Sequence, residues 1–378
     1  MGLLDYFRRE KREEETTVEP SWDVLSGGGI GGGVTPQMAE NLSTVLACVQ
    51  VISSSVASLP AYTYRAGDRG RDVVKDHPLQ GMIERGPSRY HTWADFIEFV
   101  LSQALLWGNA LAWVKYDRNG VLTEIRPIPW QNVAWELLKN GKLRYRVTLP
   151  HEQQQRTLLE HEVLHIRDRS DDSIIGKSRL ARAASSFRTS IALQEFSESL
   201  YRNGTAPSGA LKHDSKLGKE AVELLRQRFE AAHQGAAKAG KVLILDQGLQ
   251  WESMSISPED AELLGSRKFS TEEIARIYGC PPPLVGIWDH SSFTNSETAG
   301  RWFAQFTIGP WVRKIESEFK RSVFTEVERD LSLEIDLTGF MRGDYETRWK
   351  AHKIAVDSNI LTTDEIREIE GWGPGGAV

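Results

Sequence analysis

The 378-residue chain carries 40% hydrophobic and 26% charged side chains, ordinary values for a globular protein of two or three domains. A formal net charge of −6 argues against a protein that coats nucleic acid tightly. Two distant cysteines, Cys48 and Cys280, exclude a disulfide framework and read as buried thiols in a reducing cytoplasm, while the 12 tryptophans point to large buried contacts or interfaces.

Residues 1–34 read as a loose arm, with a mixed charge run at 8–20 and the linker GGGIGGG at 27–33. The opening MGLLDYFRREKREEE turns charged after seven residues, so no signal peptide is expected, and Tyr6 breaks the myristoylation pattern. Residues 42–59 are uncharged, yet Leu42, Val45, Val49, Ile52, Val56 and Leu59 recur at helical spacing, and Gln50, Ser53, Ser54 and Ser58 interrupt the other faces. That is the single apolar stripe of a core-packed helix rather than a membrane span. Thr35 and Pro36 supply its cap and first-turn proline.

AYTYR then reads as a strand and AGDRG as a turn. A second long helix lies within HTWADFIEFVLSQALLWGNA, with Phe96, Val100, Ala104 and Trp107 inward and Gly108-Asn109 at its end. Two hairpins follow, turning at Asn119-Gly120 and Asn140-Gly141, which makes this half α+β. The span 176–204 predicts one long helix with two apolar rows: Leu180, Ala184, Phe187 and Ile191, then Leu193, Phe196 and Leu200. A shorter amphipathic helix (KEAVELLRQRFEAAHQG) and a hairpin of KVLIL with LQWESMSI form a compact αββ insert at about 207–257. Ser257-Pro258-Glu259-Asp260 starts the next helix.

The stretch KFSTEEIARIYGCPPPLVG opens like a helix-turn-helix. Ser270 and Glu273 have capping-box spacing, and Phe269 and Ile274 have staple spacing. After Gly279, however, Cys280 is followed by Pro281, Pro282 and Pro283, which favour an extended chain, and no Lys or Arg occurs before Thr298. A recognition helix without phosphate or base donors is disfavoured. Residues 297–328 read as helix, kinked or broken at Gly309-Pro310, with Ile308, Val312, Ile315, Phe319 and Val323 as its stripe. LSLEIDL alternates as a strand, and two short helices close the chain, the second opened by Thr362 and Glu365.

HEVLH, His161 to His165, matches the zincin pattern, in which a helix presents two histidines and a catalytic glutamate. Nothing downstream supplies a third ligand, and the neighbourhood allows only one short element. GGGIGGG lacks the Lys-Ser/Thr of a phosphate loop, SDDS at 170–173 reads as a solvated turn, and no GxSxG elbow occurs. Residues and spacing therefore favour a non-enzymatic, interaction-rich protein without catalytic, cofactor or metal residues. The alternatives are a helix-turn-helix regulator and an HExxH zinc hydrolase.

The order of landmarks resembles the portal proteins, the head–tail connectors of tailed double-stranded DNA phages, over about residues 36–375. The landmarks are VLACVQVISSSVASLP, DHPL, WGNALAWV, EVLHIR followed by IGKSRL, YRNGTAPSGAL, GKVLIL, KFSTEEIARIYGCPPPLVG, GPWVRKIE, GDYETR and TTDEIREIEG. The tail departs from the family, ending in Gly375-Gly376-Ala377 where an acidic finish is more usual.

The resemblance implies an α+β portal fold in a twelve-membered ring at one capsid vertex. Its parts would be a wing at 35–175 and 299–340, stem helices at 176–206 and 258–280, a clip at 207–257, a tunnel loop at 281–298 and a crown at 341–378. It implies a structural role without ATPase activity: passage of double-stranded DNA during packaging and ejection, nucleation of procapsid assembly, and docking of the terminase large subunit and then a neck or adaptor protein. Contact with the major capsid protein, assembly in the host cytoplasm and residence in the virion follow from the same resemblance. Asp289, His290, Ser291, Ser292 and Asn295 are expected to face the DNA. Leu217, Leu224, Leu225, Phe229 and Trp251 are expected in the docking clip. An acidic ring would repel the duplex backbone and let it slide.

Overall fold

The computed structural model describes residues 33–67, 70–149, 155–203, 209–213, 223, 249–253, 258–288, 293–337 and 345–369. The chain opens with α1 (Pro36–Glu40) and α2 (Ser43–Ala57). Thr35 caps α1 by accepting from the Met38 amide at 3.2 Å. The stripe from Leu42 to Leu59 is buried throughout. It packs on α4 (Trp93–Trp107), which follows α3 (Pro78–Arg85) and begins with a true capping box between Thr92 and Asp95. Phe96, Val100 and Ala104 are buried, and each such apolar side chain removed from water contributes about 1.5–3 kcal/mol. Gly108 ends α4 with φ +78°, a left-handed conformation that a side chain would strain.

Among the described residues there are three antiparallel three-stranded sheets. The first has the order β11-β1-β2, where β1 is Ala61–Gly67, β2 is Gly70–Val73 and β11 is Leu331–Ile335. Ala61, Thr63 and Arg65 sit opposite Ile335, Leu333 and Leu331, so a strand from far down the chain closes on the first one. The alternation read in LSLEI is present, with Leu331, Leu333 and Ile335 buried. The second sheet runs β4-β3-β8, with β3 Asn109–Tyr116, β4 Leu122–Ile128 and β8 Val163–Arg167. The third runs β5-β6-β7, with β5 Val133–Leu137, β6 Leu143–Thr148 and β7 Gln155–Leu159. Between these two sheets lies a smaller core containing Leu111, Ile128, Trp130, Tyr145, Val147 and Val163.

The middle of the chain is helical, but its breaks differ from the sequence pattern. The helix read over 176–204 starts later, as α5 (Arg179–Arg182) capped by Ser178, and is interrupted at Ala183 before α6 (Ala184–Asn203). Arg179 and Arg182 tie α5 to Asp168 and Asp171 of the preceding turn, at 2.9 and 2.8 Å. Of the second apolar row, Phe196 is 57% exposed. Next, α7 runs unbroken from Pro258 to Tyr278. Ser270 is therefore internal to a helix and no cap, and Phe269, 61% exposed, forms no staple. The reason is tertiary: the Ser270 hydroxyl meets that of Ser190, and Glu273 accepts from Ser186 at 2.9 Å. These two contacts run in opposite chain directions, so α6 and α7 are antiparallel.

Strand β9 (Gly209–His213) pairs with β10 (Leu249–Ser253), Leu211 opposite Trp251. The KVLIL segment, expected from the sequence to pair with LQWES, lies outside the described residues. After α7, the prolines form one 3-10 turn at Pro282–Val285, with only Pro281 extended. A 3-10 turn needs few amide donors, which suits a proline run. The next helix, α8 (Phe293–Trp302), begins earlier than expected and passes through a π-helical turn at Phe303–Ile308 into α9 (Gly309–Ser322). Pro310 lacks an amide and crowds the preceding turn, and the chain relieves this by widening upstream, with Gly309 N–H bonding Ala304 O, rather than by breaking. The stripe Ile308, Val312, Ile315, Phe319 and Val323 is fully buried, while residues 326–328 leave the helix as a 3-10 turn. Helices α10 (Tyr345–Asp357) and α11 (Thr363–Ile369) follow, the last opened by the Thr362–Glu365 capping box.

Candidate functional site

The histidine motif resolves into structure. Glu160–Glu162 is a 3-10 turn and His165 lies on β8, so the helix that a zincin site requires is absent. His165 is 2% exposed. Its Nε2 lies 3.0 Å from Asn109 Oδ1 and its Nδ1 3.0 Å from the Tyr145 hydroxyl. Since the Asn109 oxygen can only accept, Nε2 carries the proton and Nδ1 accepts from Tyr145. The ring stacks on Trp130 at 5.3 Å. Burial, reinforced by the charges of Arg167 and Arg321, pushes the His165 pKa down to about 3, so the ring stays neutral. Among the described residues no group of three His, Cys, Asp or Glu side chains could hold a metal ion, and no described helix is long and apolar enough to cross a membrane.

Asn109 does more than orient His165. Its amide nitrogen donates to Gly176 O at 2.7 Å, and its Oδ1 accepts from Gly176 N at 2.8 Å. A Cβ on Gly176 would sit 2.0 Å from Gly108 O, so only glycine fits there. This clamp delivers the chain to Ser178 and α5. Arg179 then joins three elements: its Nε bonds Asp168 at 2.9 Å, its guanidinium donates to Tyr278 O at 2.8 Å, and it lies over the Trp311 ring. The base of α6 and the end of α7 are thereby fixed to β8 and α9. WGNALAWV and IGKSRL stand out in the sequence, but no local pattern there gives Asn109, Gly176 or Arg179 a role. A polar residue after a helix-ending glycine and an arginine just inside a capped helix were the available signals.

The segment after α7 is anchored in the core at both ends. Tyr278, Cys280, Phe303 and Ile308 are all buried in the main core. Gly279 ends α7 with φ +73°, and Thr307 donates to its carbonyl at 2.6 Å. Cys280 points at Cys48 O, and the two thiols are neighbours, contrary to their separation in sequence. Their mutual contact and burial raise the Cys48 pKa. This excursion along the chain, described at 281–288 and 293–306, has closed ends and carries Trp288 66%, Trp302 62% and Phe306 67% exposed. Of the predicted channel residues, Asn295 lies in α8, while Asp289, His290, Ser291 and Ser292 fall outside the described residues. Of the predicted clip residues, Trp251 lies on β10, while Leu217, Leu224, Leu225 and Phe229 fall outside the described residues.

An α+β body, an antiparallel helix pair leading to an insert, and a closed-ended excursion before a long helix together define a portal-type fold. It is shared by a chain from the neck of a native gene transfer agent particle computed with C12 symmetry: TM-score 0.62, 22% identity, 94% of this chain and 98% of that one. It is shared also by an HK97-family phage portal protein from Corynebacterium diphtheriae: TM-score 0.54, 16% identity, 81% of this chain and 97% of that one. The sequence model of the phage portal protein family matches residues 43–371, and the chain belongs to that family. The portal protein of Enterobacteria phage HK97 is 28% identical over 341 residues, 88% of this chain and 79% of that protein. The family is structural rather than enzymatic.

Proposed function

We propose that the chain assembles into a ring of about a dozen copies at one capsid vertex and serves there as the conduit for double-stranded DNA in packaging and ejection. Family membership and the C12 symmetry of the gene transfer agent neck support the ring. The observation that carries the conduit reading is the segment between Gly279 and Thr307: its ends meet at 2.6 Å, and it exposes Trp288, Trp302 and Phe306. A segment anchored this way can project from each subunit without loosening the core. The antiparallel α6–α7 pair supports residues 207–257 as a clip, because an insert between antiparallel helices emerges at their far end. In this reading the clip docks the terminase large subunit and then the neck protein, the wing meets the major capsid protein, and the ring nucleates procapsid assembly in the host cytoplasm. Neither alternative, the operator-binding regulator or the zinc hydrolase, is supported by any observed element.

Mass measurement of the purified protein, with negative-stain images, tests the proposal. Rings of about a dozen subunits with an axial opening are expected; a stable monomer or dimer at micromolar concentration and physiological salt would overturn it.

A further inference from the structure

Cys48 and Cys280 meet at the root of the excursion, and each is held there by its own helix. Cys48 lies in the middle of α2. Cys280 completes a Schellman motif at the end of α7: its amide bonds Ala275 O at 2.9 Å, while Gly279 N bonds Arg276 O at 3.1 Å. Both side chains are buried in the main core. The Cys280 thiol reaches the Cys48 carbonyl at 3.9 Å and contacts the Cys48 thiol. Residues 232 apart in the chain thus bring two free sulfurs together on fixed backbones.

The surroundings decide how readily the pair reacts. Contact with the Cys280 side chain, then burial, raises the Cys48 pKa, and the charge of Arg179 offsets part of the rise. Arg179 donates to the carbonyls of Ile277 and Tyr278 at 3.3 and 2.8 Å and shares its charge with Asp168. Buried thiols held protonated react slowly. Cys280, however, follows an exposed residue, Gly279, whose carbonyl is tied to Thr307 at 2.6 Å. Local opening of that contact uncovers the Cys280 sulfur.

We infer that Cys48 and Cys280 form a redox-sensitive staple, two thiols in a reducing cytoplasm and a disulfide in an oxidising medium, which fastens α2 to the start of the excursion. The oxidant is a peroxide. The Cys280 thiolate attacks one peroxide oxygen, the O–O bond breaks, and a sulfenic acid forms as hydroxide leaves. The Cys48 sulfur then attacks the sulfenic sulfur: the S–S bond forms, the S–O bond breaks, and the oxygen departs as water with the Cys48 proton. The two thiols lose two electrons and two protons, and the peroxide becomes two waters. The timing of the staple rests on the virion reading, in which the chain moves from the host cytoplasm to the outside. The chemistry of the pair does not.

The test treats full-length protein, freed of reductant, with hydrogen peroxide and follows it by peptide mapping and limited proteolysis. The Cys48 and Cys280 peptides should appear joined within one chain, lighter than their sum by two hydrogens and separated by dithiothreitol. The joined form should be cleaved between 281 and 306 about tenfold more slowly or less, because the cross-link opposes opening. Thr307→Val should speed the joining. In Cys48→Ala, which lacks the resolving thiol, the Cys280 peptide should gain oxygen instead. Unjoined peptides, oxygen adducts without joining in the native sequence, or joining that appears only in urea would overturn the staple. Particles from lysed cells, alkylated before unfolding, should carry the disulfide, and chains alkylated inside the cells the thiols. Thiols in the released particles would overturn the timing. A chain that forms no rings would overturn the ring reading and leave the peptide result standing.

Discussion

Thr307, in the middle of a π-helical turn, donates its hydroxyl to the carbonyl of Gly279 at the end of α7, 2.6 Å away. Twenty-seven residues separate them, and everything between is held at both ends by that contact and by the burial of Tyr278, Cys280, Phe303 and Ile308. A helix end leaves carbonyls without partners, and here one of them is satisfied by a residue on the returning chain. Thr307→Val removes the donor and little volume. It is expected to cost about 1–2 kcal/mol of stability, read by urea unfolding, and to speed proteolysis between 280 and 306. Equal stability and equal cleavage would mean that the contact does not close the excursion.

Deletion of the proposed clip is expected to be tolerated by the body. The α6–α7 seam is closed by Ser186–Glu273 and Ser190–Ser270, and the main core lies at and beyond Phe187 and Tyr278. Replacing residues 207–257 with a short Gly-Ser linker should preserve the thermal transition of the body and abolish binding to the terminase large subunit and the neck protein. Normal partner affinity in that variant would remove the clip assignment.

His165 makes stability depend on pH. Its pKa falls from 6.5 to about 3 on folding, so between those values the unfolded chain binds the extra proton and stability rises with pH. The contribution is fully present above 6.5 and is lost as pH falls, at about 1.4 kcal/mol per pH unit, reaching about 2 kcal/mol at pH 5. His165→Gln should be less stable at pH 7.5 and should show a shallower loss between pH 7.5 and 5. Parallel pH curves for the two proteins would show that another group dominates.

The same geometry predicts no stoichiometric zinc. Both ring nitrogens of His165 are engaged, by Asn109 and Tyr145, and a ligand bond would break one of these buried contacts. Elemental analysis should give well below one zinc per chain, unchanged by His161→Ala. About one zinc per chain, absent from that variant, would contradict it.

What the sequence disclosed was the periodic part. The stripes of α2, α4 and α9 and the alternation of β11 were readable because one face of each is apolar and each faces one core. Local capping chemistry was less dependable. Thr92–Asp95 and Thr362–Glu365 are real boxes, whereas Ser270–Glu273 has the same spacing and sits inside a helix. The difference lies in α6, which supplies Ser186 and Ser190 as partners and cannot be inferred from the segment itself. The Cys48–Cys280 contact, the Asn109–Gly176 clamp and the Arg179 junction were hidden for the same reason: each joins residues far apart in the chain, and no local period records such pairs. The β9–β10 pairing was hidden in the same way, since it joins GALKH and LQWES across a long stretch of chain.

The composition of the excursion bears on how DNA would pass it. Between Gly279 and Thr298 the sequence offers Asp289, His290, Ser291, Ser292 and Asn295 but no Lys or Arg. Polar and acidic groups can touch phosphates through water without holding them, whereas each lysine adds a salt-dependent attraction. In a ring, every substitution is repeated around the axis, so if the proposed channel runs past this segment, Asp289→Lys with Ser291→Lys would add two cations per subunit beside the DNA. Capsids should still assemble, because no anchor of the excursion is altered: Gly279, Cys280, Phe303 and Thr307 are untouched. Packaging should slow or stall, and the defect should deepen at low salt, where the screening length grows from about 8 Å at physiological ionic strength to about 30 Å at 0.01 M. The aromatic residues give a control. Trp288 is 66% exposed, and duplex bases are already stacked, so Trp288→Ala is expected to weaken subunit contacts and ring recovery rather than to change packaging rate in rings that form. Normal packaging by the double lysine variant at low salt, or a map of the assembled ring with residues 286–298 on its outer surface, would exclude this segment from the channel.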